Sequence, residues 1–402
     1  MDAIKDCSEN GREDCRTAGG TQECCNGQYC CDPEYFDQLR KLPCENHVGC
    51  RDLGLGNFCC PPKGNTTEDS TCCDEDPVSR QSSVVSSPST SQATPTAQES
   101  VLVLTGGSAL KWGAGSKVEA YPKTQGCSLP PLPSPRYGHK TFVTSGPMPL
   151  VATCGGVITT SGGTTNSCLI LDAVNQRWDD SRMGNLRKDR WYGAVAELPG
   201  LGVYFMGYKD SDFLAAGTLQ WQQGPDLPMG MSCSCAVPIT PTSFITIKED
   251  KIHEFDAALA GPTSNTGWRD SSWWPTLKTS RFSYPGCAKI GNKVIVAGGA
   301  DAHHGSGRAK SLHNVEVLDL ASRSVSNGGS LVSPRALFNL GTISSGGKVR
   351  LFAFAGKVES NPVNTVEEWV EETYSWRMAE SLTTEREMFG AATVPKELAC
   401  PK

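Results

Sequence analysis

The stretch that decides the fold is Arg281-Phe-Ser-Tyr284, which leads to Val294-Ile-Val-Ala-Gly-Gly299 and then to Val315-Glu-Val-Leu-Asp319. An arginine and small or aromatic residues come first. A β-rich run then ends in two glycines, and a second run carries acidic residues. Both runs have the length and composition of β-strands. Glycine at a strand end lets the chain bend and lets another backbone approach closely. The stretch therefore predicts one unit of repeated β-structure.

The same arrangement recurs six times between residues 100 and 402. The units begin at residues separated by 41 to 54 positions, namely Arg136, Arg190, Met231, Arg281, Arg335 and Arg386. This spacing is the length of a four-stranded propeller blade. The double glycine recurs at Gly106-Gly107 and Gly155-Gly156, is single at Gly207 and Gly356, and is absent at Ile245-Thr-Ile247. Four units carry a late tryptophan, which we expect to fill space between sheets: Trp178, Trp221, Trp268 and Trp376.

The two ends of this region complete each other. Residues 386–394 have the pattern of a first strand, after which the unit stops. Val101-Leu-Val-Leu-Thr-Gly-Gly107 and Lys117-Val-Glu-Ala-Tyr121 have the pattern of later strands. Joined, they make a sixth blade, and a ring closed in this way leaves no exposed sheet edge. We predict an all-β, six-bladed propeller over residues 100–402 with closure by strands from both termini.

These six phased units, with their split terminal blade, resemble the kelch-repeat family over about 300 residues. The resemblance implies a kelch β-propeller of the secreted type and a protein-binding role. It also implies that arginines near the central opening of the ring could form a binding surface. Five units begin with arginine: Arg136, Arg190, Arg281, Arg335 and Arg386. A ring of guanidinium groups would bind a protein or an acidic or glycan ligand. In the alternative, each arginine stabilises its neighbouring blade through carbonyl or acidic partners.

The first 76 residues have a different composition. They contain 12 of the chain's 19 cysteines, in two sets of six that share the pattern of two single cysteines followed by two adjacent pairs. Each set of six cysteines spans a module of roughly 35 residues, which buries too little apolar surface to fold without cross-links. We therefore predict a small disulfide-rich domain of two modules. Its disulfide connectivity does not follow from the sequence. A zinc site is disfavoured, because C-x2-C spacing is absent and His47 is the only histidine there.

Residues 77–99 are rich in Ser, Thr and Pro and contain no aromatic residue, which predicts a flexible linker. Asn65-Thr-Thr67 is an acceptor sequence for N-glycosylation. This sequence, together with the cysteine content, favours an extracellular, secreted protein. The N-terminus has neither the basic start nor the apolar stretch of a signal peptide, so we expect a mature chain. No apolar run approaches the roughly 20 residues that span a bilayer. Residues 1–75 carry a net charge of −8 and the rest of the chain +2, and this balance argues against nucleic acid.

The predicted propeller contains seven cysteines. Cys154 and Cys168 lie on successive strands of one blade, and Cys127 and Cys400 flank the split blade. Cys287 and either Cys233 or Cys235 begin neighbouring blades, and we take Cys235 as the candidate partner. An odd count leaves one thiol over. The alternative is a cytosolic propeller in which all these cysteines are reduced.

Several patterns that would indicate chemistry are weak or missing. We find no counterpart of the copper motif of galactose-oxidase-like enzymes, no Gly-x-Ser-x-Gly elbow and no phosphate loop. His303-His304 lies in a glycine-rich loop without evident metal partners. Trp273-Trp274 could anchor a partner or a sugar, although core packing is at least as expected.

The sequence therefore favours a secreted, non-enzymatic interaction protein without catalytic residues, cofactor or metal. It uses a kelch propeller face and a disulfide-rich module. Two alternatives stay open. One is an extracellular galactose-oxidase-like propeller enzyme, and the other is an intracellular kelch adaptor.

Overall fold

A computed structural model describes residues 98–109, 113–123, 126–158, 163–230, 234–302, 309–359 and 361–401, together with four short strands nearer the N-terminus. The chain forms two compact units, Met1–Gln92 and Ala93–Lys402. Asn65 and nearly all of the predicted linker lie outside the described residues, as do Met231, Cys233, His303 and His304.

The described residues of the N-terminal unit form one β-hairpin in each six-cysteine set. Strand β1 (Glu23–Cys25) pairs with β2 (Tyr29–Cys31), and β3 (Phe58–Cys60) pairs with β4 (Thr71–Cys73). Every strand is one residue followed by two cysteines. In both hairpins the first cysteine of one pair lies opposite the first cysteine of the other. The two sets therefore share their backbone pairing as well as their sequence spacing.

The C-terminal unit is a six-bladed β-propeller. Its first strands along the chain are β5 (Ser100–Thr105), the hairpin of β6 (Ser108–Ala109) and β7 (Gly113–Ala114), and β8 (Val118–Tyr121). Strand β5 pairs with β8 and also with the last strand of the chain, β30 (Gly390–Pro395). We number this split sheet blade 6. The predicted closure by strands from both ends of the propeller is confirmed.

Blades 1 and 2 each contain four antiparallel strands in chain order. Blade 1 consists of β9 (Lys140–Val143), β10 (Val151–Cys154), β11 (Cys168–Asp172) and β12 (Arg177–Asp179). Blade 2 consists of β13 (Ala194–Leu198), β14 (Gly202–Met206), β15 (Ser211–Ala215) and β16 (Trp221–Gln223).

Blade 3 departs from this plan. It has three strands, β17 (Cys235–Pro238), β18 (Ser243–Lys248) and β19 (Lys251–Asp256). A two-residue turn joins β18 to β19 where other blades have the glycine pair, which explains why the glycines are missing from this unit. Helix α1 (Ala257–Ala260) and 3-10 turns at Asn265–Gly267 and Ser271–Trp273 follow. Trp268 makes an isolated bridge to Phe255 in place of a fourth strand.

Blades 4 and 5 return to four strands. Blade 4 consists of β20 (Gly286–Ile290), β21 (Lys293–Ala297), β22 (Asn314–Asp319) and β23 (Ser324–Ser330). Blade 5 has β24 (Asn339–Ser345) and β25 (Lys348–Phe354), then a small hairpin of β26 (Lys357–Val358) and β27 (Asn361–Pro362), then β28 (Val366–Val370) and β29 (Ser375–Ala379). A 3-10 turn at Glu371–Thr373 joins the last two, and helix α2 (Lys396–Ala399) follows β30.

The inner strands β9, β13, β17, β20, β24 and β30 lie against one another in that order, and β30 lies against β9. Six buried apolar clusters fill the six interfaces between neighbouring blades. The late tryptophans pack into these clusters, as predicted: Trp178, Trp221, Trp268 and Trp376. None of the described helices has the length and apolar character needed to cross a membrane.

Candidate functional site

The five arginines occupy equivalent places at one end of the ring, which we call the arginine end. All are buried: Arg136, Arg190, Arg281, Arg335 and Arg386. In blade 5, Arg335 Nη1 donates to the carbonyls of Ala355 and Thr365, at 3.0 and 3.2 Å. Arg386 donates likewise to the carbonyls of Gly106 and Lys117 in blade 6, both at 3.2 Å. These two guanidinium groups thus each join the ends of two strands in their own blade.

A carboxylate completes this arrangement in three blades. Glu316, Glu367 and Glu119 accept a hydrogen bond from Arg281, Arg335 and Arg386, respectively. The same carboxylates accept backbone N–H groups two or three residues before each arginine. Glu367, for example, accepts from Val332 at 2.7 Å and from Ser333 at 3.0 Å. The acid therefore fixes both the arginine side chain and the chain segment that enters the blade.

Blade 1 lacks this acid. Leu169 stands two residues beyond Ser167, whose carbonyl accepts from Arg136, so it takes the position of the glutamates. Pro133, three residues before Arg136, has no N–H that an acid could accept. Blade 1 therefore lacks both the glutamate that would accept and the backbone N–H, three residues before the arginine, that would donate to it. Burial without a carboxylate lowers the pKa of Arg136 to about 10.

Blade 2 uses Asp212 on its third strand and Asp210, which comes just before that strand. Arg190 Nε lies 2.6 Å from Asp212 Oδ2, and Arg190 Nη1 lies 2.9 Å from Asp210 Oδ1. The contacts of all five arginines are those of the stabilising alternative stated above. None of the five is among the residues lining the central cavity. The glutamates were not singled out from the sequence, although their recurrence two residues into the third strand is a visible signal.

A channel runs through the ring between the inner strands. Its upper chamber, at the arginine end, has a volume of about 160 Å³. The chamber is lined by one or more residues from every inner strand, for example Thr141, Glu197, Ala236, Cys287, Leu340 and Ala391. A lower chamber of about 350 Å³ continues toward the opposite end. The last five of these residues also line the lower chamber, so the two volumes are parts of one channel.

Glu197 is the only acidic side chain that lines either described chamber. It lies on β13 where the two chambers meet. Its carboxylate accepts a hydrogen bond from the backbone N–H of Val143 and, within the described residues, makes no ion pair. Enclosure by the surrounding blades raises its pKa to about 8, and the Val143 contact opposes this shift. Three basic residues face the channel: His139 and Lys140 in the upper chamber and Lys289 in the lower.

His139 has a structural environment. Its Nε2 lies 2.8 Å from Thr105 Oγ1, which lies 2.5 Å from Thr141 Oγ1. Three residues after its arginine, it takes the position that Phe338 and Phe389 fill in blades 5 and 6. Burial lowers its pKa well below the usual value, so the imidazole is neutral at pH 7.

Large side chains surround the mouth of the upper chamber. Tyr192, Tyr284, Leu337 and Met388 all line it, and all four have a positive φ of 49–59°. Non-glycine residues rarely adopt this backbone conformation, which costs on the order of 1 kcal/mol each. Blade 1 has Gly138 at the comparable position. The rings of Tyr192 and Tyr284 make an edge contact at 5.5 Å.

No protein-family model matches the chain, and no curated protein is significantly similar to it. The six-bladed ring is therefore established by its geometry alone.

The described propeller contains three disulfides, Cys127–Cys400, Cys154–Cys168 and Cys235–Cys287. These are the three pairs named from the sequence. Cys154 lies opposite Cys168 on adjacent strands of blade 1. Cys235 and Cys287 join the inner strands of blades 3 and 4 and line the upper chamber. Cys127–Cys400 connects the segment after β8 to the segment after β30, on either side of blade 6.

The two residues of the tryptophan pair have different environments. Trp274 is buried, and its Nε1 donates to Glu254 at 2.9 Å, so it belongs to the core. Trp273 is 43% exposed, with the guanidinium of Arg323 3.9 Å and that of Arg269 5.2 Å from its ring centre. Only Trp273 remains available as a contact residue.

Proposed function

We propose that this chain is a secreted, non-enzymatic interaction protein of the kelch type, in which the propeller supplies a rigid face for a protein ligand. The buried arginine pairs support this by holding the strands within each blade, and the Cys235–Cys287 disulfide supports it by joining blades 3 and 4. A rigid scaffold with loops at one end suits recognition, because little ordering entropy opposes binding.

One observation carries the proposal. Trp191 and Tyr208 are exposed, at 44% and 64%, and both lie at the arginine end of blade 2. Trp191 follows Arg190, and Tyr208 follows Gly207, which lies against the Arg190 guanidinium. Exposed aromatic side chains on a fixed backbone are typical anchors of protein interfaces.

Site-specific photo-crosslinking tests the proposal. A benzophenone side chain at position 191 or 208 should give an adduct of defined mass with an extracellular protein. The matched control is position 148, because Met148 is 80% exposed on the β9–β10 connection at the opposite end. Adducts of equal yield from all three positions, or from none, would contradict a binding face at the arginine end.

The two alternatives, an oxidase-like enzyme and an intracellular adaptor, are tested by different measurements. Stoichiometric copper in the purified protein, with hydrogen peroxide formed from an alcohol or aldehyde, would overturn the non-enzymatic proposal. An intracellular adaptor would contain free thiols. The native mass should instead lie two hydrogens below the reduced mass for each disulfide.

A further inference from the structure

The channel contains a carboxylate without a counter-ion. Glu197 lines both chambers, and its one assigned partner is a backbone N–H group. Removing a carboxyl group from water disfavours its ionised form, and a positive charge placed beside it favours that form again. The upper chamber beside it has a volume of about 160 Å³. This is about ten times the roughly 10–15 Å³ that one water molecule requires, so a small ligand group fits there.

Aromatic rings line the same chamber. Tyr192 and Tyr284 come from blades 2 and 4, and their strained backbone directs bulky side chains to a place where blade 1 has glycine. Ring faces attract cations, most strongly where water is scarce. Two tyrosines and a carboxylate with no ion pair among the described residues therefore line one chamber, an arrangement that favours a cation.

We propose that the central channel binds a primary ammonium or guanidinium group, with Glu197 as its counter-ion and Tyr192 and Tyr284 as its aromatic wall. Either a small free amine or the lysine or arginine side chain of a partner could supply this group. The inference goes beyond the proposed function, since it assigns a ligand chemistry to the channel, which that proposal does not use.

The other charged groups of the channel set the limits of this site. His139 is neutral and bonded to Thr105, so it adds no repulsion. Lys289 Nζ donates to the carbonyl of Ile239 at 2.7 Å, in the lower chamber. Lys140 lines the upper chamber and opposes a second cation. Removing Lys140 should therefore strengthen binding, whereas removing the charge of Glu197 should weaken it.

Titration calorimetry of the full chain tests the site with n-butylammonium, a Gly-Lys-Gly peptide blocked at both ends, and butyrate. We expect one or both cationic probes to bind and butyrate not to bind. Binding of the free amine indicates a small-molecule site, and binding of the peptide alone indicates a partner side chain. Preference for butyrate, or no binding of either cation, would overturn the proposal. Failure of cation binding would overturn only the channel proposal, because crosslinking at positions 191 and 208 tests the binding face separately.

Variants and pH locate the charge. Glu197→Gln should weaken cation binding at least tenfold, and Lys140→Met should strengthen it. Glu372→Gln, on an exposed 3-10 turn, is the matched control and should change nothing. Between pH 6 and 7.5 the wild-type affinity should rise nearly tenfold per pH unit, because the cation selects the ionised carboxylate and releases a proton. An affinity unchanged in Glu197→Gln would contradict the assignment. So would a wild-type affinity independent of pH, and this second measurement does not depend on the stability of any variant.

Discussion

Buried arginine–glutamate pairs stabilise this ring, and each charged group in them is also hydrogen-bonded to nearby backbone. Arg335 and Glu367 are both fully buried, and each also bonds to the backbone. Desolvating two charges is costly, and their attraction offsets this only when the remaining hydrogen-bonding groups are satisfied. The backbone partners on both sides meet that condition. The pair therefore contributes chiefly by fixing the segment that enters blade 5.

Glu367→Gln should destabilise the protein by about 3–5 kcal/mol, because it leaves the Arg335 charge buried without a counter-ion. Urea unfolding at pH 7 measures the change. Glu371→Gln is the control, since Glu371 is exposed and its pair with Lys293 should contribute less than about 1 kcal/mol.

Replacing both partners in an Arg335→Met, Glu367→Gln variant separates charge from packing. It should recover part of the loss, since no unpaired charge remains. A single Glu367→Gln change that costs no more than Glu371→Gln would show that the buried pair has no such role.

At the scale of strands and blades, periodicity made the fold predictable. The spacing of the arginine-led units and the split sixth blade follow from the sequence, because each blade repeats the same burial pattern. The third unit was harder to recognise from the sequence, because a tight turn replaces its glycine pair. The channel site could not be predicted. Glu197 is an isolated acid in Ala-Val-Ala-Glu-Leu, and only ring closure places it against the other inner strands.

The pairing of β30 with β5 should be essential for folding. Six consecutive residue pairs join these strands, from Gly390–Thr105 to Pro395–Ser100. A chain that ends at residue 385 loses the buried side chains of Phe389 and Val394, and exposes β5 as a sheet edge. We expect it to be at least about 3 kcal/mol less stable and prone to aggregation.

A synthetic peptide of residues 386–402, with Ser at position 400, should restore the thermal transition of this truncated chain. The control peptide carries Ala392→Pro, which removes a backbone donor within β30 and should not restore it. Equal recovery with both peptides would mean that strand pairing does not close the ring.

For the whole molecule, the order in which the disulfides stabilise should follow the length of chain that each one closes. Cys127–Cys400 spans 273 residues and Cys235–Cys287 spans 52, and all four cysteines are partly buried. In the chain-entropy description, a cross-link acts by restricting the unfolded chain, so the longer loop gives the larger effect. The expected contributions are roughly 5.5 and 4 kcal/mol.

Replacing each pair by alanine and comparing urea unfolding midpoints tests this order. Loss of Cys127–Cys400 should be the more damaging, even though β30 and β5 already join the two ends in the folded state. That pairing is absent from the unfolded chain, where the disulfide has its effect. The opposite order would mean that the Cys235–Cys287 bond contributes through the folded channel wall instead, where it joins blades 3 and 4.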